Sequence, residues 1–228
     1  MERVSAACCP MPSRTAHRGK NPLITALVTL VLAATGCQSG EAKDERPSAA
    51  RTSCAEVLDA QTKSAIRRLA DIPAPAKVEY EGDPALTANQ LVTQYLTGKP
   101  DQREYFFCGA YKDSSEHESV RIDFSLTHVL PRADTTGSEF QGYRMGKAAR
   151  VSSRAGYLYF DCSSAKFDRT TQLVHAELEP IFRVTETAAA AREDNLRVLH
   201  GSSRALSRLL GCEKGTGITG AFTMPPTV

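Results

Sequence analysis

The chain has no GxSxG elbow, no SxxK followed by KTG, no HExxH and no GxxxxGK[ST] loop. These gaps remove the common nucleophile, zinc-protease and phosphate-loop classes, each of which needs those residue types at those spacings. No CxxC pair occurs either, which excludes thioredoxin-type redox chemistry and zinc knuckles. Tryptophan is absent, and the tyrosines and phenylalanines gather in the middle of the chain. No internal repeat is found. The apolar run from Leu23 to Gly36 is 14 residues long, short of the roughly 20 that span a bilayer. No cofactor motif is present, so no cofactor is expected.

The excess of basic charge is also missing once the chain is divided. The net charge is +2, but residues 1–36 carry Arg3, Arg14, Arg18 and Lys20 against Glu2, so the remainder stands at −1. That balance supplies no basic patch for nucleic acid.

The 14-residue run has its own meaning. Arg14, Arg18 and Lys20 precede it and small residues close it, the three parts of a cleavable export signal. A buried core helix would fit its length, but Asn21-Pro22 and Ala34-Thr35-Gly36 are poor helix flanks. Met11 begins a tidier signal than Met1, so translation is expected to start there, leaving Cys8 and Cys9 outside the translated chain. No twin arginine precedes the run, which favours the general export route.

Ala34-Thr35-Gly36-Cys37 resembles the lipobox of bacterial lipoproteins, with alanine where that family usually carries leucine. The resemblance covers only the signal region. It implies cleavage between Gly36 and Cys37, diacylglycerol on the Cys37 sulfur, and a protein held to the cell membrane on its extracytoplasmic side. Gln38 to Thr52 is polar and broken by Gly40 and Pro47, so 37–52 reads as a lipidated cysteine with a disordered tether reaching about 20 Å.

With Cys37 assigned to lipid, Cys54, Cys108, Cys162 and Cys212 remain, an even set in an oxidising compartment. Four cysteines allow three connectivities. All four fall at inward positions of the expected elements, which favours Cys54–Cys108 and Cys162–Cys212, each closing a loop of roughly 50 residues. The nested pairing Cys54–Cys212 with Cys108–Cys162 is the alternative.

Residues 53–212 are expected to form one α+β domain, followed by a flexible tail over 213–228. Ser53 and Glu56 make a capping box for a helix carrying Val57, Leu58, Ala65, Ile66 and Leu69. Thr87 and Gln90 make a second box for a helix through Leu91, Tyr95 and Leu96, ended by Gly98. Period-two alternation then predicts strands: a short one at 78–80, then 104–111 with Phe106, Cys108 and Ala110 on one face, 120–126, 143–151, 157–162 and 171 to about 182. A long helix from Thr187 to Leu210 closes the domain, with Gly201 a weak point. The expected architecture is an antiparallel sheet of about four to six strands, with the N-terminal helices and the long C-terminal helix packed on it.

Candidate sites are sparse. Glu116-His117-Glu118 and His175-Ala176-Glu177 bring imidazole and carboxylate together, and His128 ends a strand, but nothing in the spacing makes a metal set converge. The first trio reads as a solvated turn, and His175 and Glu177 as one face of a strand. Ser202 and Ser203 read as small residues at a helix crossing. The aromatics at 105–107 and 157–160 serve core and sheet surface more readily than a ligand pocket. The sequence thus points to a non-enzymatic envelope lipoprotein that binds an unknown envelope protein or small ligand. An envelope hydrolase built around His117, His128 and His175, and a structural or inhibitory partner of a membrane protein, are the alternatives.

Overall fold

A computed structural model describes residues 53–98, 103–112, 117–131, 139–180, 187–212, 215–218 and 220–228. The expected signal, Gly36, Cys37, the tether and Glu116 lie outside the described residues.

The first helix is two. Ser53 Oγ accepts from the Ala55 amide at 3.2 Å and opens α1 (Cys54–Val57). Leu58 and Asp59 then turn extended, because Asp59 competes as a cap: its carboxylate accepts from both the amide and the hydroxyl of Thr62 at 2.8 Å. The chain restarts there as α2 (Ala60–Leu69). The expected second box is displaced in the same way. Asp83 caps α3 (Pro84–Thr97), with Pro84 in the first turn, where its missing N–H costs nothing. Thr87 lies buried inside that helix and donates its hydroxyl to the Phe106 carbonyl at 2.6 Å.

Among the described residues there are seven strands, more than the four to six expected: β1 (Val78–Glu81), β2 (Tyr105–Lys112), β3 (Glu118–Thr127), β4 (Gln141–Tyr143), β5 (Ala148–Val151), β6 (Gly156–Ser163) and β7 (Thr171–Pro180). The extra strand comes from 143–151, where a turn splits one expected strand into β4 and β5. Gly146 sits in that turn at φ +61°, and a Cβ there would strike the Tyr159 carbonyl oxygen. The order is β1-β2-β3-β7-β6-β5-β4, with every pairing antiparallel. Two meanders therefore join at the β3–β7 seam.

A bulge in β2 corrects another expectation. Phe106 pairs with Asp123 and Cys108 with Ile122, leaving Phe107 as the extra residue. Phe107 and Cys108 consequently both enter the core, while Phe106 turns to the opposite face under the Arg121 guanidinium at 4.7 Å.

One face of the sheet carries the core. Val120, Ile122 and Phe124 of β3, Val174, Ala176 and Leu178 of β7, and Leu158 and Phe160 of β6 are all essentially inaccessible to solvent. Against them pack α2, α3 and α4 (Ala188–Leu210), the long helix expected. Thr187 caps α4, accepting from the Ala190 amide at 3.3 Å, and Gly211 ends it at φ +71°. Each fully buried Leu or Phe in this layer contributes roughly 1.5–3 kcal/mol. Two disulfides, Cys54–Cys108 and Cys162–Cys212, tie helix to sheet across Cα separations of 5.6 and 5.0 Å. They mark an oxidising, extracytoplasmic setting. Among the described residues no helix is long and apolar enough to cross a membrane.

The stretch expected as a flexible tail makes specific contacts in its described residues. Ile218 is buried, the Val228 amide donates to the Gly142 carbonyl at 3.2 Å, and the Arg144 amide donates to the Pro226 carbonyl at 2.9 Å. Thr227 thus bridges to Tyr143 and covers the edge of β4.

Candidate site on the outer face of the sheet

Strand alternation sends every second residue of β3, β6 and β7 away from the helices. At the seam these outward residues are polar or aromatic: Asp123, Ser125 and Thr127 from β3, Tyr157 and Tyr159 from β6, His175, Glu177 and Glu179 from β7. The register sets Ser125 and Tyr159 on either side of His175, and Asp123 and Tyr157 on either side of Glu177.

The rings stack. Tyr159 lies on His175 with centroids 4.5 Å apart and planes 19° from parallel; Tyr157 lies 5.8 Å from the same imidazole. Phe140 extends the row, stacked on Tyr157 at 5.4 Å. Ser125 Oγ sits 3.3 Å from His175 Nδ1, while Nε2 is buried with no partner among the described residues. An unpaired buried nitrogen of this kind costs about 1–3 kcal/mol unless something else meets it.

Beside these rings is a pocket of about 270 Å³. Ser125, Thr127, Tyr159 and His175 form its sheet-side wall, Glu104 enters from just before β2, and Val129 and Pro131 supply apolar surface beyond β3. It is large enough for a small organic molecule or several waters.

Burial sets the protonation states. It holds the His175 imidazole down to about 4, so the ring is neutral at neutral pH. It pushes the Tyr159 hydroxyl up to about 12, helped by Glu177 and Tyr157. Glu177 is pushed up to about 7, first by burial and then by Glu104 and Glu179, and it shares a hydrogen bond with Glu104. Arg121 is committed elsewhere, to Asp123 at 2.6 Å and Glu118 at 3.6 Å, and Lys147 to Asp161 at 2.9 Å.

Ser125 and His175 touch, but among the described residues Nε2 has no carboxylate to orient it as the third group of a triad would. Among the described residues no three His, Cys, Asp or Glu side chains come together to hold a metal ion.

The residues singled out from sequence scatter. His117 and His128 are exposed at opposite ends of β3, roughly 35 Å apart at the ordinary rise of a strand, so they do not converge with His175. Glu118 pairs with Arg121, and burial raises its carboxyl above the usual range. His175 and Glu177 do share a face. Ser202 and Ser203 are fully buried in α4, and Ser202 Oγ donates to the Val198 carbonyl at 2.8 Å. Sequence reasoning missed Glu104 and Ser125 as site residues and set Tyr159, among the aromatics at 157–160, aside as core or sheet surface. The alternation that identifies β3 and β6 marks Ser125 and Tyr159 as outward, but only the β3–β7–β6 register brings them to His175.

No family model matches the chain, and neither a curated protein nor a solved structure matches it.

Proposed function

We propose that this protein is a lipid-anchored envelope module that holds a small ligand on the outer face of its sheet. Cleavage between Gly36 and Cys37 and acylation of Cys37 attach it to the cell membrane, residues 38–52 serve as tether, and the disulfide-linked domain presents the pocket outside the cytoplasm. The lipobox resemblance and the two disulfides support the address.

The observation that carries the binding reading is the pocket beside His175. Aromatic faces, hydroxyls and a carboxylate converge there around a buried imidazole nitrogen that no group among the described residues satisfies. A sheet surface meant only for solvent has no use for such a group.

Two experiments test this. Cys37→Ala releases the protein from membranes or leaves the precursor uncleaved; an acylated, membrane-bound C37A product would refute the anchor. A fragment screen by ligand-detected NMR yields binders that His175→Ala and Tyr159→Leu weaken by about tenfold or more, the usual scale for losing a central contact of a small site. Binders indifferent to both substitutions would place the site elsewhere. The Ser125–His175 contact favours a hydrolase as the second reading. In that case Ser125→Ala abolishes turnover of ester substrates, whereas a binding module shows none to abolish.

A further inference from the structure

The chemistry around the pocket narrows what it holds. The stacked rings of Tyr157, His175 and Tyr159 offer electron-rich faces, and Glu104 stands on the pocket's rim. Glu177 is adjacent, hydrogen-bonded to Glu104 and further influenced by Glu179 and Asp123. Of the nearby cations, Arg121 is paired with Asp123 and Glu118 and Lys147 with Asp161, while Arg150 of β5 stands across from Tyr157. Because His175 is held neutral, it adds no charge that would repel a cation.

We propose that the pocket takes a compact organic cation, an ammonium group bearing small alkyl substituents. It lies against Tyr159 on the side of the ring not stacked on His175, with Glu104 of the lining as counter-charge, Glu177 behind it, and Val129 and Pro131 against its alkyl part. The proposal rests on the binding reading above and gives it a ligand class. An aromatic face attracts a cation by about 0.5–2 kcal/mol, more as the site dries. An inorganic divalent ion is the poorer fit, because among the described residues no three ligating side chains gather.

Binding is then linked to a proton. Burial pushes the Glu177 carboxyl up to about 7, so it holds a proton below that pH when the pocket is empty. When the ammonium enters, that proton leaves to solvent and both carboxylates face the cation. The groups facing Glu177 are Glu104 from before β2, Arg121 and Asp123 from β3, Tyr157 and Tyr159 from β6, and His175 and Glu179 from β7. Arg150 of β5 also acts on Tyr159.

Choline and its uncharged isostere 3,3-dimethylbutan-1-ol test this directly, titrated by calorimetry and NMR into the full-length protein in maltoside micelles. Choline is expected to bind about tenfold more tightly near pH 8 than near pH 5 and to release a proton on binding near pH 6. Glu104→Gln and Glu177→Gln, with unchanged circular dichroism, weaken it about tenfold and flatten its pH dependence. Tyr159→Phe preserves the ring and the affinity, whereas Tyr159→Leu does not. Equal binding of the neutral isostere, or choline binding indifferent to pH and to both Gln variants, overturns the cation proposal while the pocket stands. Failure of choline alongside neutral or anionic fragments that do bind at His175 does the same. Failure of every fragment at His175 removes the pocket reading as well.

Discussion

Glu177 and His175 lie two residues apart on one face, yet pH acts on them in opposite directions. Glu177 is raised from 4.5 to about 7, so the folded state keeps a proton that the unfolded chain has already lost. Its contribution is complete below about pH 4.5 and disappears as pH rises through about 7. His175 is lowered from 6.5 to about 4. Its contribution is complete above about pH 6.5 and disappears as pH falls through about 4. In urea unfolding, wild type should therefore lose about 1 kcal/mol relative to Glu177→Gln between about pH 5 and about pH 8, a figure reduced for solvent screening. An unchanged difference at the two pH values would mean that burial does not hold the Glu177 carboxyl protonated. At this scale little was legible beforehand. Alternation placed His175 and Glu177 on one face, but Glu104, 73 residues away in sequence from Glu177, reaches them only through the fold. What separates an idle strand face from a site is cross-strand register, which no local pattern contains.

The elements show where local signals compete. Ser53 caps the first helix as expected, but Asp59 restarts the chain as α2, and Asp83 replaces Thr87 as the cap of α3, each carboxylate satisfying a helix amide directly. The β2 bulge inverted the face of Phe106 because one extra residue shifts everything beyond it. The long helix was fully legible, since Thr187 and Gly211 bracket an apolar stripe that its neighbours leave intact. Gly201 reverses its expected meaning. On propensity alone Ala would be better there by about 1 kcal/mol, but a Cβ at that point would run into the Thr62 hydroxyl of α2. Gly201→Ala should thus lower stability by about 1–3 kcal/mol in thermal melts, the range for overpacking a tight crossing. A stabilised variant would show that α2 and α4 are not so close.

The whole molecule is held by features far apart in sequence. The disulfides close loops of 54 and 50 residues, and each should contribute about 4 kcal/mol by restricting the unfolded chain. Replacing Cys162 and Cys212 by Ser should lower the stability read from denaturant unfolding by that amount. No change would mean that the bridge constrains little. The α+β class and the presence of two disulfides were legible, because helix and strand periods occupy separate stretches and the cysteines fall on inward positions. The seven-stranded order was not, since the β3–β7 seam pairs strands separated by three others.

The central claim is that this seam, on its outer face, forms a binding site. A ¹⁵N-resolved NMR titration of the protein with the fragments that bind it tests that most directly. Shifts are expected to concentrate at Ser125, Thr127, Tyr159 and His175 and to be lost in His175→Ala. Shifts confined to the helical face, or to the His117 end of β3, would contradict it.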